Sequence, residues 1–173
     1  MNNKLFSTAV VVILSSCSVV AQKDPGSSTG IFKNLIGCWQ GTLNYSGTMI
    51  RKPYSTNAEL VIKQIGSSDA FEFLHIYTAN RNENVADTIT VSKDGKKLND
   101  GIIKSKRSTS EGNVEIMTEV AGFDPDNNTT AVIRQTYTIG KDVYTYKKQV
   151  QPVGQHDWLD RQEFKYARKI CRK

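Results

Sequence analysis

The sequence predicts an all-β fold, an antiparallel up-and-down β-barrel of about 8–10 strands following an N-terminal signal peptide. Three observations lead to it. Segments that alternate between apolar and polar residues succeed one another along most of the chain. Turn residues separate these segments at intervals of roughly 12 to 15 residues. No long stretch after the first strand shows the 3.6-residue period of a helix. An open sheet of so many strands would leave two long edges unpaired, and closing it into a barrel removes both.

The chain has 173 residues, enough for one domain with a sizeable core. Its 38% hydrophobic and 23% charged residues describe a globular protein and exclude a disordered one. The net charge is +6, but Lys and Arg are scattered through strand-like segments. A nucleic-acid-binding protein gathers them into a patch with stacking aromatics, so no nucleic-acid partner is expected.

Residues 1–21 form a secretory signal. Lys4 is the only charge before Lys23, and LFSTAVVVIL supplies the apolar core. Two cleavage sites compete. Val19-Val20-Ala21 would leave Gln22 first, whereas Leu14-Ser15-Ser16-Cys17 resembles a lipobox and would end the signal at residue 16, with Cys17 lipidated. In the second case a lipid on Cys17 is the only expected attachment to a membrane. Either route exports the protein. Residues 22–30, rich in Ser, Gly, Asp and Pro, form a flexible tether to a barrel domain over residues 31–173.

Residues 31–35 suit one helical turn. Residues 35–45, LIGCWQGTLNY, form the first strand, with Gly37, Trp39, Gly41, Leu43 and Tyr45 on one face and Cys38, Gln40, Thr42 and Asn44 on the other. Further strands are predicted over 56–65, 71–77 and 87–92, the last ending in the hairpin signal Lys93-Asp94-Gly95-Lys96. A weak strand covers 97–104 and a clean one 113–120. Asp124-Pro125-Asp126-Asn127-Asn128 is a turn. Its acids hint at calcium, but an EF-hand would need Gly and Glu where Thr129 and Gln135 stand. Strands at 130–139 and 142–150 form a hairpin across Gly140-Lys141, and 158–171 is the last and longest strand.

In an up-and-down barrel the first and last strands become neighbours. Export favours a Cys38–Cys171 disulfide between them. Placing those cysteines directly opposite sets Trp39 against Ile170, Gly41 against Arg168, Leu43 against Tyr166 and Tyr45 against Phe164. Both apolar rows then share the inner face, an agreement that a one-residue slip would destroy. Arg168 falls diagonal to Trp39, with room at Gly41 for its guanidinium to cover the indole.

Gly37-Cys38-Trp39 resembles the G-x-W motif that opens the first strand of lipocalins, and the chain is similar to the wider calycin group. In lipocalins an arginine late in the barrel packs over this tryptophan and closes the base. The resemblance gives that role to Arg168, ahead of Arg161 and Arg134, and implies a barrel over about residues 31–171.

His75 shares its parity with Phe71, Phe73 and Tyr77, so it points inward, whereas His156 lies in a turn. Calycins similar to nitrobindin bind haem through one histidine, which makes either a candidate axial ligand by resemblance. Two isolated histidines do not make a zinc site, and no metal is expected. Phe73, His75, Tyr137, Tyr144, Tyr146, Phe164 and Tyr166 are the candidates to line a lumen. No G-x-S-x-G elbow, P-loop or H-E-x-x-H motif is present, so no catalytic residue is assigned. Barrels of eight or more strands can keep an internal cavity. The expectation is therefore an exported, non-catalytic protein that holds a small, largely apolar ligand. A filled barrel serving the cell envelope as an interaction protein, and a haem-binding barrel, are the alternatives.

Overall fold

The computed structural model describes residues 26–47, 53–77 and 84–171. The predicted signal peptide and Cys17 lie outside the described residues. The chain begins with one short helix, α1 (Ser28–Lys33). It starts three residues before the predicted turn because Ser27 caps it, accepting the Gly30 N–H at 3.1 Å. Leu35 lies beyond the helix and is fully buried.

Ten strands follow: β1 (Gly37–Tyr45), β2 (Tyr54–Gln64), β3 (Ala70–Tyr77), β4 (Val85–Thr90), β5 (Lys97–Leu98), β6 (Gly101–Ser108), β7 (Val114–Asp124), β8 (Thr129–Ile139), β9 (Val143–Pro152) and β10 (Leu159–Lys169). Strands adjacent in sequence pair antiparallel from β1 to β4 and from β5 to β10, and β1 pairs with β10. The result is a nearly closed up-and-down barrel. β10 is 11 residues long and so are β2, β7 and β8, so the last strand shares the greatest length with three others.

The predicted strand at 97–104 divides at Asn99, whose φ of 49° turns the chain. Among the described residues closure on this side is thin, with one bridge between Val91 and Leu98. The Asn99 side chain extends it, accepting the Thr90 N–H at 2.7 Å and donating to the Thr88 carbonyl at 3.1 Å. Among the described residues, β4 from Val85 to Thr90 pairs only with β3.

The disulfide between Cys38 and Cys171 is present, with Cα atoms 5.2 Å apart. The predicted register is off by two residues. Trp39 stands opposite Arg168, Gly41 opposite Tyr166, Leu43 opposite Phe164 and Tyr45 opposite Gln162. Cys171 lies past the end of β10 and reaches Cys38 obliquely, so the bridge does not mark a directly opposed pair. A slip of two preserves which face each residue occupies, so the predicted inner row survives. Ile170, expected against Trp39, is 91% exposed instead.

The roles of the two glycines change with the register. At Gly41 an added Cβ would lie 1.8 Å from the Lys165 carbonyl oxygen, so this glycine admits the backbone of β10. Gly37 is the one beside the arginine, where an added Cβ would lie 3.1 Å from a guanidinium nitrogen of Arg168. The guanidinium of Arg168 lies 4.1 Å from the centre of the Trp39 ring, in the role that the G-x-W resemblance implied. It also donates to the carbonyls of Lys141 (2.6 Å), Ile36 (3.1 Å) and Asn34, tying the end of α1 to the barrel. The Trp39 indole N–H donates to the Leu35 carbonyl at 2.8 Å.

Arg134 instead covers Trp158, 3.7 Å from its ring centre. Arg161 sits at a bulge in β10 that aims it at the β7–β8 turn. There it pairs with Asp124 at 2.7 Å and Asp126 at 3.1 Å. Hydrogen bonds from Arg161 hold the buried Asp124 carboxyl below its ordinary range.

The core fills one end of the barrel. Phe32 of α1 enters that end and packs its ring 5.7 to 5.9 Å from those of Tyr137 and Phe71. Burying such a side chain stabilises the fold by about 1.5–3 kcal/mol. Trp39, Leu43, Leu60, Ile62 and Phe71 surround it, none more than 1% exposed.

Candidate functional site

Beyond the Phe32 plug the barrel is not filled. A cavity of about 440 Å³ remains, within the range of small-molecule sites. It is built by the inward rows of the strands. β3 contributes Phe73, His75 and Tyr77, β8 Gln135 and Tyr137, β9 Tyr144 and Tyr146, and β10 Gln162 and Phe164. β1 adds Tyr45, β4 adds Val85, Asp87 and Ile89, and Asn99 borders the thin side of the wall. Val85 and Asp87 are solvent-exposed, so the cavity communicates with water on that side.

The wall is aromatic and well supplied with polar groups, since His75, Asp87, Asn99, Gln135 and Gln162 line it beside the tyrosine hydroxyls. The rings of Tyr146 and Phe164 lie 5.2 Å apart and those of Phe73 and Tyr144 5.9 Å apart. Several hydroxyls at the cavity are held by partners. Tyr45 and Tyr77 share a hydrogen bond at 2.9 Å. Tyr137 donates to the Gln135 carbonyl oxygen at 3.2 Å, and the Gln135 amide donates to the Tyr146 hydroxyl at 3.1 Å. Burial is the first cause that pushes up the phenols of Tyr45, Tyr137, Tyr144 and Tyr166, and it pushes Tyr146 up to about 12. At neutral pH all of them present protonated hydroxyls.

His75 is 6% exposed and its Nδ1 lies 2.9 Å from the Tyr166 hydroxyl. Its Nε2 lies 3.8 Å from a carboxylate oxygen of Asp87. Burial lowers the imidazole's pKa, and the charge of Asp87 opposes this as the smaller effect. The Asp87 side chain is 65% exposed, so water screens its pull while the imidazole itself is dehydrated. His75 is therefore neutral. The neighbouring carboxylate favours a proton on Nε2, which leaves Nδ1 to accept from Tyr166.

No protein-family model matches the chain, and no curated protein matches it. Several solved structures share its architecture. Rv2717c from M. tuberculosis superposes with a TM-score of 0.55 at 15% identity, over 84% of this chain and 99% of that one. The S-type phycobiliprotein lyase CPES from Guillardia theta superposes with a TM-score of 0.50 at 10% identity, over 86% of this chain and 96% of that one. At these identities the likeness shows the fold alone, an all-β barrel of the calycin-like type.

The predicted lumen residues Phe73, His75, Tyr137, Tyr144, Tyr146 and Phe164 line the cavity, and Tyr166 holds His75 from behind. His156 is an exposed turn residue away from it. Sequence reasoning missed Tyr45, Tyr77, Gln135, Gln162, Asn99 and Asp87. The first four share strand parity with residues that were chosen, so the signal was present. Asp87 shares parity with the buried Ile89 and Val91, and its acidity disguised it as a strand end.

Proposed function

We propose that this protein is an exported, non-catalytic carrier that holds a small, largely apolar ligand in its barrel. The observation that carries this reading is the 440 Å³ cavity, with aromatic walls, a Tyr45–Tyr77 hydroxyl pair and a Tyr146 hydroxyl held by Gln135. A barrel serving only as a scaffold gains more stability by filling such a volume. The Cys38–Cys171 bridge supports export, since disulfides persist in oxidising compartments. The likeness to a phycobiliprotein lyase is compatible with a small-molecule site.

Haem, with His75 as axial ligand, suits the site poorly. The Nε2 atom faces a carboxylate, and no Lys or Arg is among the described lining residues to meet the propionates. Native mass spectrometry of the protein purified from its own envelope tests the proposal. An added mass released on denaturation is expected, and it should be lost in Gln162→Trp, which places an indole at the cavity. Retention of the mass in that variant, or a bare wild-type protein that binds no apolar probe, would overturn it in favour of an interaction protein.

A further inference from the structure

We propose that the ligand is an organic cation, an aromatic or alkyl body bearing a protonated amine or quaternary ammonium group. This rests on the binding function proposed above and adds the ligand's charge. Asp87 carries it. In a chain with net charge +6, Asp87 is the only Asp, Glu, Lys or Arg among the described lining residues. It occupies an inward position of β4, between Val85 and Ile89 and opposite Phe73, where alternation calls for an apolar residue. Among the described residues, the side chain within ion-pairing distance of Asp87 is His75, which is neutral and leaves the negative charge unmatched.

The rest of the wall fits the same guest. The faces of Tyr, Phe and Trp rings attract cations, and cages of such rings recognise quaternary ammonium groups. Tyr45, Phe73, Tyr77, Tyr137, Tyr146 and Phe164 offer these rings around the cavity. Burial is the main cause that keeps the phenols of Tyr137, Tyr144 and Tyr146 protonated, and the charge of Asp87 adds to it as the smallest. An anionic guest meets the carboxylate with no described cation to offset it.

The experiment compares three probes of one shape by calorimetric titration of the full chain. They are phenyltrimethylammonium, its neutral isostere tert-butylbenzene, and benzenesulfonate. The cation should bind about tenfold tighter than the neutral isostere. Asp87→Asn should bring the two within about twofold by weakening the cation alone, and Asp87→Lys should turn the preference towards the sulfonate. The exposure of Asp87 means that neither substitution disturbs packing. Equal affinity for cation and isostere in the wild-type protein would overturn the charge assignment while leaving the carrier function standing. Failure of all three probes to bind would overturn both.

Discussion

Replacing Arg168 with alanine should destabilise the barrel by about 2.5 kcal/mol. The guanidinium lies 4.1 Å from the Trp39 ring centre, a contact worth about 1 kcal/mol when partly exposed. It also bonds the carbonyls of Lys141, Ile36 and Asn34 at the solvent-facing base. Water can replace those bonds in the variant, so each counts for about 0.5 kcal/mol, the low end of the range. For a domain of this size the total lowers Tm by roughly 5–10 °C. Urea denaturation followed by tryptophan fluorescence should show a lower midpoint with an unchanged m value. Arg168→Lys should recover less than half of the loss, because an ammonium cannot reach three carbonyls in a fixed fork while covering a ring. A loss below about 0.5 kcal/mol, or full recovery with lysine, would refute this account of how the base is closed.

Four further outcomes are expected. Reducing the Cys38–Cys171 bridge, which spans 133 residues, should cost about 2–5 kcal/mol; melting with and without reductant measures it. Stability should be flat above about pH 6.5 and fall below it, because the unfolded chain takes up a proton that the buried, neutral His75 refuses; His75→Phe should flatten denaturation midpoints against pH. Thr118→Val should stabilise by about 1 kcal/mol in chemical denaturation, since the buried Thr118 hydroxyl has no hydrogen-bond partner among the described residues. Gly41→Ala should abolish soluble, cooperatively folded protein, judged by circular dichroism, because its methyl group would meet the Lys165 carbonyl at 1.8 Å.

The barrel was legible because alternation is a local signal. Phe71, Phe73 and His75 face inward as their shared parity requires, and so do Trp39, Leu43, Phe164 and Tyr166. Register is less local. Treating Cys38 and Cys171 as directly opposed put Arg168 against Gly41, whereas the bridge reaches obliquely beyond the end of β10. The division at Asn99 escaped notice because positive φ in an asparagine has no period to betray it. The helical turn was visible, but nothing in one turn says that Phe32 stops one end of a barrel and leaves the other hollow. Whether side chains fill a lumen depends on volumes contributed by strands far apart in sequence, which no single segment reports.

The wall of the barrel has two very different joints. On one side β1 and β10 are laced along eight residue pairs and bolted by a covalent bond. On the other, among the described residues, one bridge, the side chains of Asn99 and Ser92 and a short turn hold the staves together. A hoop built this way behaves like a split ring. Strain applied anywhere is passed round the stiff staves and is relieved at the split, so any breathing of the hoop concentrates beside Asn99 and Asp87, where the hollow meets water. The long loop closed by the sulfur bridge thus does more than restrain the unfolded chain. It decides which side of the folded ring is allowed to give.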